Sequence, residues 1–180
     1  TPASVVSTAT GDLTGSFVVP GGAPVAHNIG VSDGLGSVTA TFTITSRISP
    51  PSSTAGQVGG QTTISGEGFP PSSTISFTFD GNSVTTTPAT VTANAAGNFT
   101  ATVTIPEAGR GEHQIRIFSG ATAFTTTFSV SPSPLTVAPT SGVVGATVTV
   151  SGKGLKASAP ISVTVDGAGV TTNPVTVVST

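Results

Sequence analysis

Apolar and hydroxyl-bearing residues alternate along most of the chain with a period of two. In STISFTFDG at 73–81, Ile75, Phe77 and Phe79 alternate with Ser and Thr, and NFTATVTIP at 98–106 follows the same rule. Successive side chains of a strand point to opposite faces, so these segments predict strands with one apolar and one hydroxyl-rich face. Thr suits the outer face because its branched Cβ favours extended backbone and its hydroxyl stays hydrated. No segment shows the apolar spacing of a helix, and the pattern predicts an all-β protein.

Turn residues separate these predicted strands. Asp80-Gly81 lies between two alternating segments, and such pairs supply the positive φ of a tight hairpin. Seven short antiparallel strands in a unit of this length indicate an immunoglobulin-type two-sheet sandwich. The predicted strands are 61–66, 74–79, 82–87, 89–94, 98–105, 112–118 and 121–130.

The whole pattern repeats every 86 residues without a gap. Identical residues separated by this offset are Gly11 and Gly97, His27 and His113, and Asp80 and Asp166 (97 − 11, 113 − 27 and 166 − 80). The fold class we predict is therefore all-β, with tandem Ig-like antiparallel β-sandwiches. The domains are the second half of a repeat at 1–46, a complete repeat at 47–132 and the first half of a repeat at 133–180.

Each half-repeat alone would leave an apolar face and a sheet edge open, which invites pairing with another chain. The chain exceeds two periods by eight residues (180 − 2 × 86), so 1–8 and 173–180 share one phase and would compete for one strand position. Either the chain is a window of a longer array, which the overlap favours, or separate subunits exchange strands. The absence of Met at the start leads us to expect a mature or excised segment.

The alternating phase also predicts which side chains form the core, with their partners 86 residues away buried in the same way. The predicted core residues are Ile75, Phe77, Phe79, Phe99, Val103, Ile105, Ile115, Ile117 and Phe128.

Two segments carry a family resemblance. VAPTSGVVGATVTVSGKGL at 137–155 and ISPPSSTAGQVGGQTTISGEGF at 48–69 resemble the opening of IPT/TIG-type Ig-like domains. Such domains form tandem repeats in large bacterial and archaeal cell-surface or extracellular filament proteins, so the resemblance implies a stalk, spacer, filament or adhesive arm. The prolines that open the units do not align at the offset of 86, which leaves the first strand of each unit undefined.

Composition excludes several partners. Five basic and seven acidic residues give a net charge of −2, so no basic surface is available for nucleic acid. The chain has no Cys and therefore neither disulfides nor thiolate metal sites. Its apolar runs are too short to span a membrane.

The candidate chemistry is better explained by structure. His27 and His113 recur with the unit, which favours packing over metal binding, and Asp80 and Asp166 precede Gly as turn residues rather than calcium ligands. There is no nucleophile elbow or phosphate loop. We therefore predict no catalytic, cofactor-binding or metal-binding residue, no cofactor and no enzyme activity.

Surface features suggest one modification site. Asn98, in the only N-x-S/T sequon, is a candidate for glycosylation on a predicted turn. Lys153 and Lys156 lie in a predicted loop, so an isopeptide cross-link is not expected. All aromatic residues are Phe, and the absence of Trp and Tyr argues against a flat sugar-binding platform.

These observations lead to one function and two alternatives. The first hypothesis is a non-catalytic, structural segment of an extracellular or cell-surface filament. Its partners are neighbouring copies of itself, joined head to tail and possibly side by side. The alternatives are the stalk of a cell-surface adhesin and a glycan-binding β-sandwich module.

Overall fold

The computed structural model describes residues 5–173 and the backbone of residues 177–178, and every regular element in them is a strand. The strands before the central domain are β1 (Ala26–Ser32) and β2 (Ser37–Thr43). Those of the central domain are β3 (Arg47–Ile48), β4 (Ala55–Gly56), β5 (Gln61–Glu67), β6 (Thr74–Phe79), β7 (Asn82–Ser83), β8 (Thr86–Thr87), β9 (Val91–Thr92), β10 (Phe99–Thr104), β11 (Gly111–Ser119) and β12 (Thr122–Val130). The strands after it are β13 (Thr136–Ala138), β14 (Thr149–Ser151), β15 (Pro160–Ile161), β16 (Thr164–Val165), β17 (Ala168–Gly169) and β18 (Val177–Val178).

The central domain is a sandwich of two sheets. One sheet has the order β3-β5-β10-β8, and the other has the order β4-β12-β11-β6-β7 with β9 also paired to β6. All pairs are antiparallel except β4 with β12. The prediction of an all-β, Ig-like fold is confirmed.

The core of this sandwich follows the alternating pattern. All nine residues predicted to be buried are at most 5% exposed, and they form one cluster with side chains from both sheets. Phe69 lies outside any strand, yet it is fully buried and its ring meets that of Phe99 edge to face at 5.1 Å. Gly66 makes room for these two rings, since a Cβ there would overlap the Phe99 ring and lie 2.9 Å from the Phe69 ring.

The outer face of the four-stranded sheet carries a row of hydroxyl groups. Thr63 and Thr102 sit opposite each other on β5 and β10 with their Oγ1 atoms 3.2 Å apart. Ser65 and Thr100 form the neighbouring pair at 2.9 Å. Cross-strand hydroxyl pairs of this kind stabilise a sheet while leaving its surface polar.

Two predicted strands are wrong as continuous elements. The segments 82–87 and 89–94 form only β7, β8 and β9, because the chain crosses between sheets here: β7 pairs with β6, β8 with β10, and β9 with β6 again. Pro88, which has no N–H donor, lies between β8 and β9. The first strand, left undefined by sequence, is likewise divided between the sheets as β3 and β4.

The flanking segments form four smaller sheets, and three of them match the register of the central domain at an offset of 86. β1 and β2 pair as β11 and β12 do, and β15 and β18 pair as β6 and β9 do. Val165 pairs with Ala168 in the hairpin β16–β17, as Phe79 pairs with Asn82. The division into 1–46, 47–132 and 133–180 stays a prediction. The predicted competition between 1–8 and 173–180 falls partly on residues 1–4, 174–176, 179 and 180, which lie outside the described residues.

The predicted burial of the partners 86 residues away is wrong for the single chain. Six of them are 39% to 62% exposed, and three others, Ile29, Ile161 and Val163, are only half-buried. Each flanking segment holds only some of the strands found in the central sandwich, so its apolar side chains are incompletely covered. The six exposed residues are Leu13, Phe17, Val19, Val31, Phe42 and Val165.

Candidate functional site

The chain enters and leaves the central domain through the same close backbone approach. Gly68 has a φ of +70°, and a Cβ on it would lie 2.6 Å from the carbonyl oxygen of Thr45. Gly154, 86 residues later, has a φ of +67° and would place a Cβ 2.8 Å from the carbonyl oxygen of Ser131. Only glycine adopts this left-handed backbone without strain and also leaves space for the passing chain. We call these two places, where the chain passes Gly68 at Thr45 and Gly154 at Ser131, the connectors; they are built alike.

Backbone pairing holds each connector to the strand beside it. Arg47 pairs with Glu67, and the N–H of Ser133 donates to the carbonyl of Lys153 at 2.9 Å. The Arg47 guanidinium also bonds the Glu67 carboxylate at 2.8 Å, but both side chains are more than half exposed. Exposed ion pairs contribute little, so the backbone contacts define the connectors.

The two connected segments meet opposite ends of the sandwich. Phe99 pairs with Gly66 at one end of the antiparallel ladder of β5 and β10, and Thr104 pairs with Gln61 at the other. The loops beyond Phe99 and beyond Thr104 therefore face away from each other.

Each of these loops contacts one flanking segment. Before β10, a Cβ on Gly97 would lie 3.0 Å from the carbonyl oxygen of Gly22 in the N-terminal segment. After β10, the N–H of Arg110 donates to the carbonyl of Leu155 in the C-terminal segment at 2.9 Å. The N-terminal and C-terminal segments are thus arranged head to tail about the central domain.

Within the central domain, one histidine and one aspartate connect two neighbouring strands of the same sheet. His113 on β11 stacks on Phe79, and its Nδ1 lies 2.6 Å from Oδ2 of Asp80 in the turn between β6 and β7. Its Nε2 lies 2.8 Å from the carbonyl oxygen of Gly109. The other carboxylate oxygen of Asp80 accepts the N–H of Gln114 at 2.8 Å.

This geometry favours the charged forms of both groups. Both ring nitrogens of His113 face acceptors, and only the imidazolium can donate to both. Burial lowers the pKa of His113, but its bonds to Asp80 and to the Gly109 carbonyl outweigh burial, and the pKa is raised. Burial likewise raises the pKa of Asp80, but the Gln114 N–H and His113 outweigh it, and the pKa is lowered. The contact is an ion pair that fixes the hairpin turn to β11.

Each flanking segment holds one member of the same pair. His27 on β1 places its Nε2 2.9 Å from the carbonyl oxygen of Ala23, as His113 does with Gly109. Among the described residues, its Nδ1 has no partner. Asp166 occupies a turn with a φ of 50°, close to the 48° of Asp80, and its carboxylate has no partner in the described part of the chain.

One groove borders each flanking segment. One groove of about 420 Å³ in the N-terminal segment is lined by His27, Ile29 and Phe42 among others. A second, of about 690 Å³, lies between the central domain at Ala108 and the C-terminal apolar side chains, including Val163. Both grooves are bordered by side chains in the phase of a sandwich core.

A family model matches the middle of the chain. The model of the IPT/TIG domain matches residues 43–133, which is 91 of 180 residues. The chain belongs to the IPT/TIG family. TIG domains are non-catalytic modules with an Ig-like fold, and the match covers the central domain and both connectors.

The TIG chain is also similar to a solved structure, described as the crystal structure of domains 4 and 5 of the S-layer protein SbsC. The identity is 17% and the TM-score 0.27, over 59% of this chain and 65% of that one. The TIG chain therefore spans less than two thirds of that structure. A comparison with curated proteins gives no match. In the described part of the TIG chain, no helix is long and apolar enough to cross a membrane.

The candidate residues from the sequence have the following positions in the structure. Asp80 forms the predicted hairpin turn, and His113 packs on Phe79 as expected; their mutual contact was missed, although both recur at the offset of 86. Asn98 is exposed in its turn, and its glycosylation stays a prediction. The Lys153 ammonium contacts the Glu107 carboxylate. The described residues contain no group of three potential metal ligands.

Proposed function

We propose that this chain is a structural, non-catalytic segment of an extracellular or cell-surface filament, in which TIG units are joined head to tail. The observation that carries the proposal is the repeated connector. Gly68 and Gly154 make the same close approach 86 residues apart, and the segments they connect meet opposite ends of the central domain. A junction that recurs in every unit builds a one-dimensional assembly, because one end of each unit contacts the opposite end of the next.

The partners in this filament are neighbouring copies of the chain. Each flanking segment exposes apolar side chains whose equivalents in the central domain are buried in the core. Exposed apolar surface of this kind marks an interaction site. The hydroxyl-rich outer faces and the net charge of −2 also tolerate contact between filaments side by side, because they create little like-charge repulsion.

Electron microscopy of the concentrated 180-residue chain tests the proposal. We expect uniform fibres with an axial repeat of two sandwiches per 172 residues (2 × 86). The variant Phe42→Asp places a charge on the open apolar face of β2 and should abolish the fibres. The control Leu35→Asp adds the same charge in a turn at a site that is 98% exposed, and it should leave them intact.

Other outcomes separate the alternatives. Single flexible strands without uniform fibres would favour the adhesin stalk. Isolated particles of one chain at every concentration would contradict the filament.

A further inference from the structure

One ion pair of the central domain is present as two separate halves in the flanking segments. His27 has a ring nitrogen without a partner among the described residues, and Asp166 has a carboxylate without one. In the central domain the equivalent groups, His113 and Asp80, lie 2.6 Å apart. Charged groups at the edge of an open apolar face are costly to leave unpaired once that face is covered.

Each flanking segment already holds its residue in the geometry of the complete pair. His27 is anchored through Nε2 to a carbonyl four residues earlier, as His113 is, which turns Nδ1 towards the position of the missing carboxylate. Asp166 lies in a turn with the backbone angles of the Asp80 turn, and the register of the surrounding hairpin is the same. Little rearrangement is needed for the two groups to meet.

One ring-to-glycine contact of the central domain has its two members in different flanking segments. In the central domain Phe128 lies over Gly56, where a Cβ would be 3.2 Å from its ring. The equivalent large residue in the N-terminal segment is Phe42, which is 41% exposed. The equivalent small residue is Gly142 in the C-terminal segment.

The two segments of one chain do not meet, because they contact opposite ends of the central domain. We propose that residues 5–46 of one copy and residues 133–173 of a second copy close into one sandwich, in which His27 of the first pairs with Asp166 of the second. This inference rests on the proposed head-to-tail association of copies and specifies the surfaces and the charged contact that join them.

Sedimentation analysis of the full chain over a range of concentrations tests the pair. The variant His27→Asp places two carboxylates opposite one another, and Asp166→His places two imidazoles there, so neither can form the pair. Each should weaken association by about tenfold to a hundredfold, as expected for a lost charged hydrogen bond. The double variant with both changes exchanges the two groups and should recover most of the lost association. His is tolerated at position 166 because it is one of the residues that adopt positive φ.

A matched control and a mixing experiment exclude indirect effects. Asp33→Asn changes a charge in the turn between β1 and β2, away from the pair, and should leave association unchanged; circular dichroism should show intact sheets in every variant. A mixture of the two single variants contains two matched interfaces, one between the intact His27 and the intact Asp166 and one between the exchanged groups at the same two positions. The mixture should associate at concentrations at which each variant alone stays monomeric.

The outcomes distinguish the inference from the function on which it rests. A wild-type chain that stays monomeric, whether open or closed on itself, would overturn both. If wild type associates but the single variants associate equally well, or the exchanged double variant shows no recovery, the pair is wrong and the filament stands. If the mixed variants associate no better than each variant alone, the assignment of the two surfaces to each other is wrong.

Discussion

The aromatic cluster in the core depends on the absence of one side chain as much as on the rings themselves. Phe99 meets Phe69 at 5.1 Å and Phe77 at 6.0 Å, both edge to face. The rings fit because Gly66, opposite Phe99 on β5, has no Cβ. Aromatic contacts of this geometry add to the stabilisation from burial.

The variant Phe99→Ala should therefore lower the free energy of unfolding of the central domain by about 3–5 kcal/mol, as for other buried Phe truncations. Denaturant unfolding followed by circular dichroism measures the change. The matched control is Leu13→Ala, the equivalent position in the N-terminal segment. Leu13 is 46% exposed, and at low protein concentration its truncation should cost less than about 1 kcal/mol. Equal losses at the two sites would contradict the assignment of the core.

The ion pair in the central domain should make stability depend on pH in a defined direction. The raised pKa of His113 gives stability that is present below its ordinary value of 6.5 and is lost as the pH rises through the raised value. The lowered pKa of Asp80 gives stability that is present above its ordinary value of 3.8 and is lost as the pH falls through the lowered value. The pair therefore stabilises most between these two ordinary values.

Unfolding of the wild type and of Asp80→Asn at a series of pH values measures this contribution. The wild type should exceed the variant most in the mildly acidic range, and the excess should shrink towards alkaline pH. Asp33→Asn is the control: the N–H groups of Gly36 and Leu35 lower the pKa of Asp33, so any stability from its charge is present above its ordinary value of 3.8 and is lost only as the pH falls through the lowered value. The difference between the wild type and Asp33→Asn should therefore stay constant across neutral pH. An excess that is flat across neutral pH would contradict the pairing with His113.

Residue patterns predict burial within a strand better than contacts between strands. Alternation predicted the burial of Phe99 correctly, because every second side chain of a strand points to the same face. Phe69 lies in a loop, where no period applies. The contact of Asp80 with His113 spans 33 residues and exists because Phe79 pairs with Ile115 in the register of β6 and β11. No local pattern encodes that register.

At the scale of elements, the strands between β6 and β10 show where periodicity stops being informative. The segment from Asn82 to Thr92 continues the Thr-rich pattern of a strand, yet it forms three two-residue elements in two sheets. Each crossing breaks the ladder, so a pattern with the right period gives strands of the wrong length. The close approaches at the connectors were not predicted, for a related reason: Gly68 and Gly154 are identical at the offset of 86, but the sequence does not reveal which carbonyl they approach.

The connectors should be sensitive to a single methyl group. Gly68→Ala would force an L residue to a φ of +70° and place its Cβ 2.6 Å from the Thr45 carbonyl, so we expect it to cost well over about 1 kcal/mol. Cleavage between the N-terminal segment and the central domain under limited proteolysis should rise, because the chain no longer packs against β5. Thermal unfolding and the cleavage rate report the two effects.

Two further variants define this prediction. Gly154→Ala, at the second connector, should raise cleavage near Ser131 in the same way. Gly36→Ala lies in an open turn without a positive φ or a nearby atom, and it should be close to neutral. If Gly68→Ala were equally neutral, the close approach would not hold the connector.

At the scale of the whole molecule, the chain combines one closed sandwich with two flanking segments whose apolar side chains are partly open. The repeat predicted the open apolar faces, and the same repeat led to the wrong expectation that residues such as Phe42 and Val165 are buried. Their phase is that of a core, but a core requires two walls, and here they are 41% and 59% exposed. The alternation of apolar residues depends only on the segment itself, whereas the burial of their side chains depends on the other segments that pack against it.

This contrast predicts a wide range of local stabilities within one chain. At concentrations too low for association, amide hydrogens of β10 and β11 should exchange slowly, because they belong to a closed sandwich. Those of β1 and β2 should exchange many times faster, since an isolated two-stranded hairpin with one bare face is marginal in water. Hydrogen exchange followed by mass spectrometry resolves these peptides.

Raising the protein concentration should then change the exchange of the two flanking segments together. If residues 5–46 of one copy close on residues 133–173 of another, protection of β1 and β2 should rise with that of β14 and β15, along one common dependence on concentration. Protection of β10, already buried in its own sandwich, should stay constant and serves as the internal control. Protection of β1 and β2 that is high at the lowest concentration would mean that a single chain covers its own face. A rise confined to one segment would mean that its partner is something other than the complementary half of a second copy.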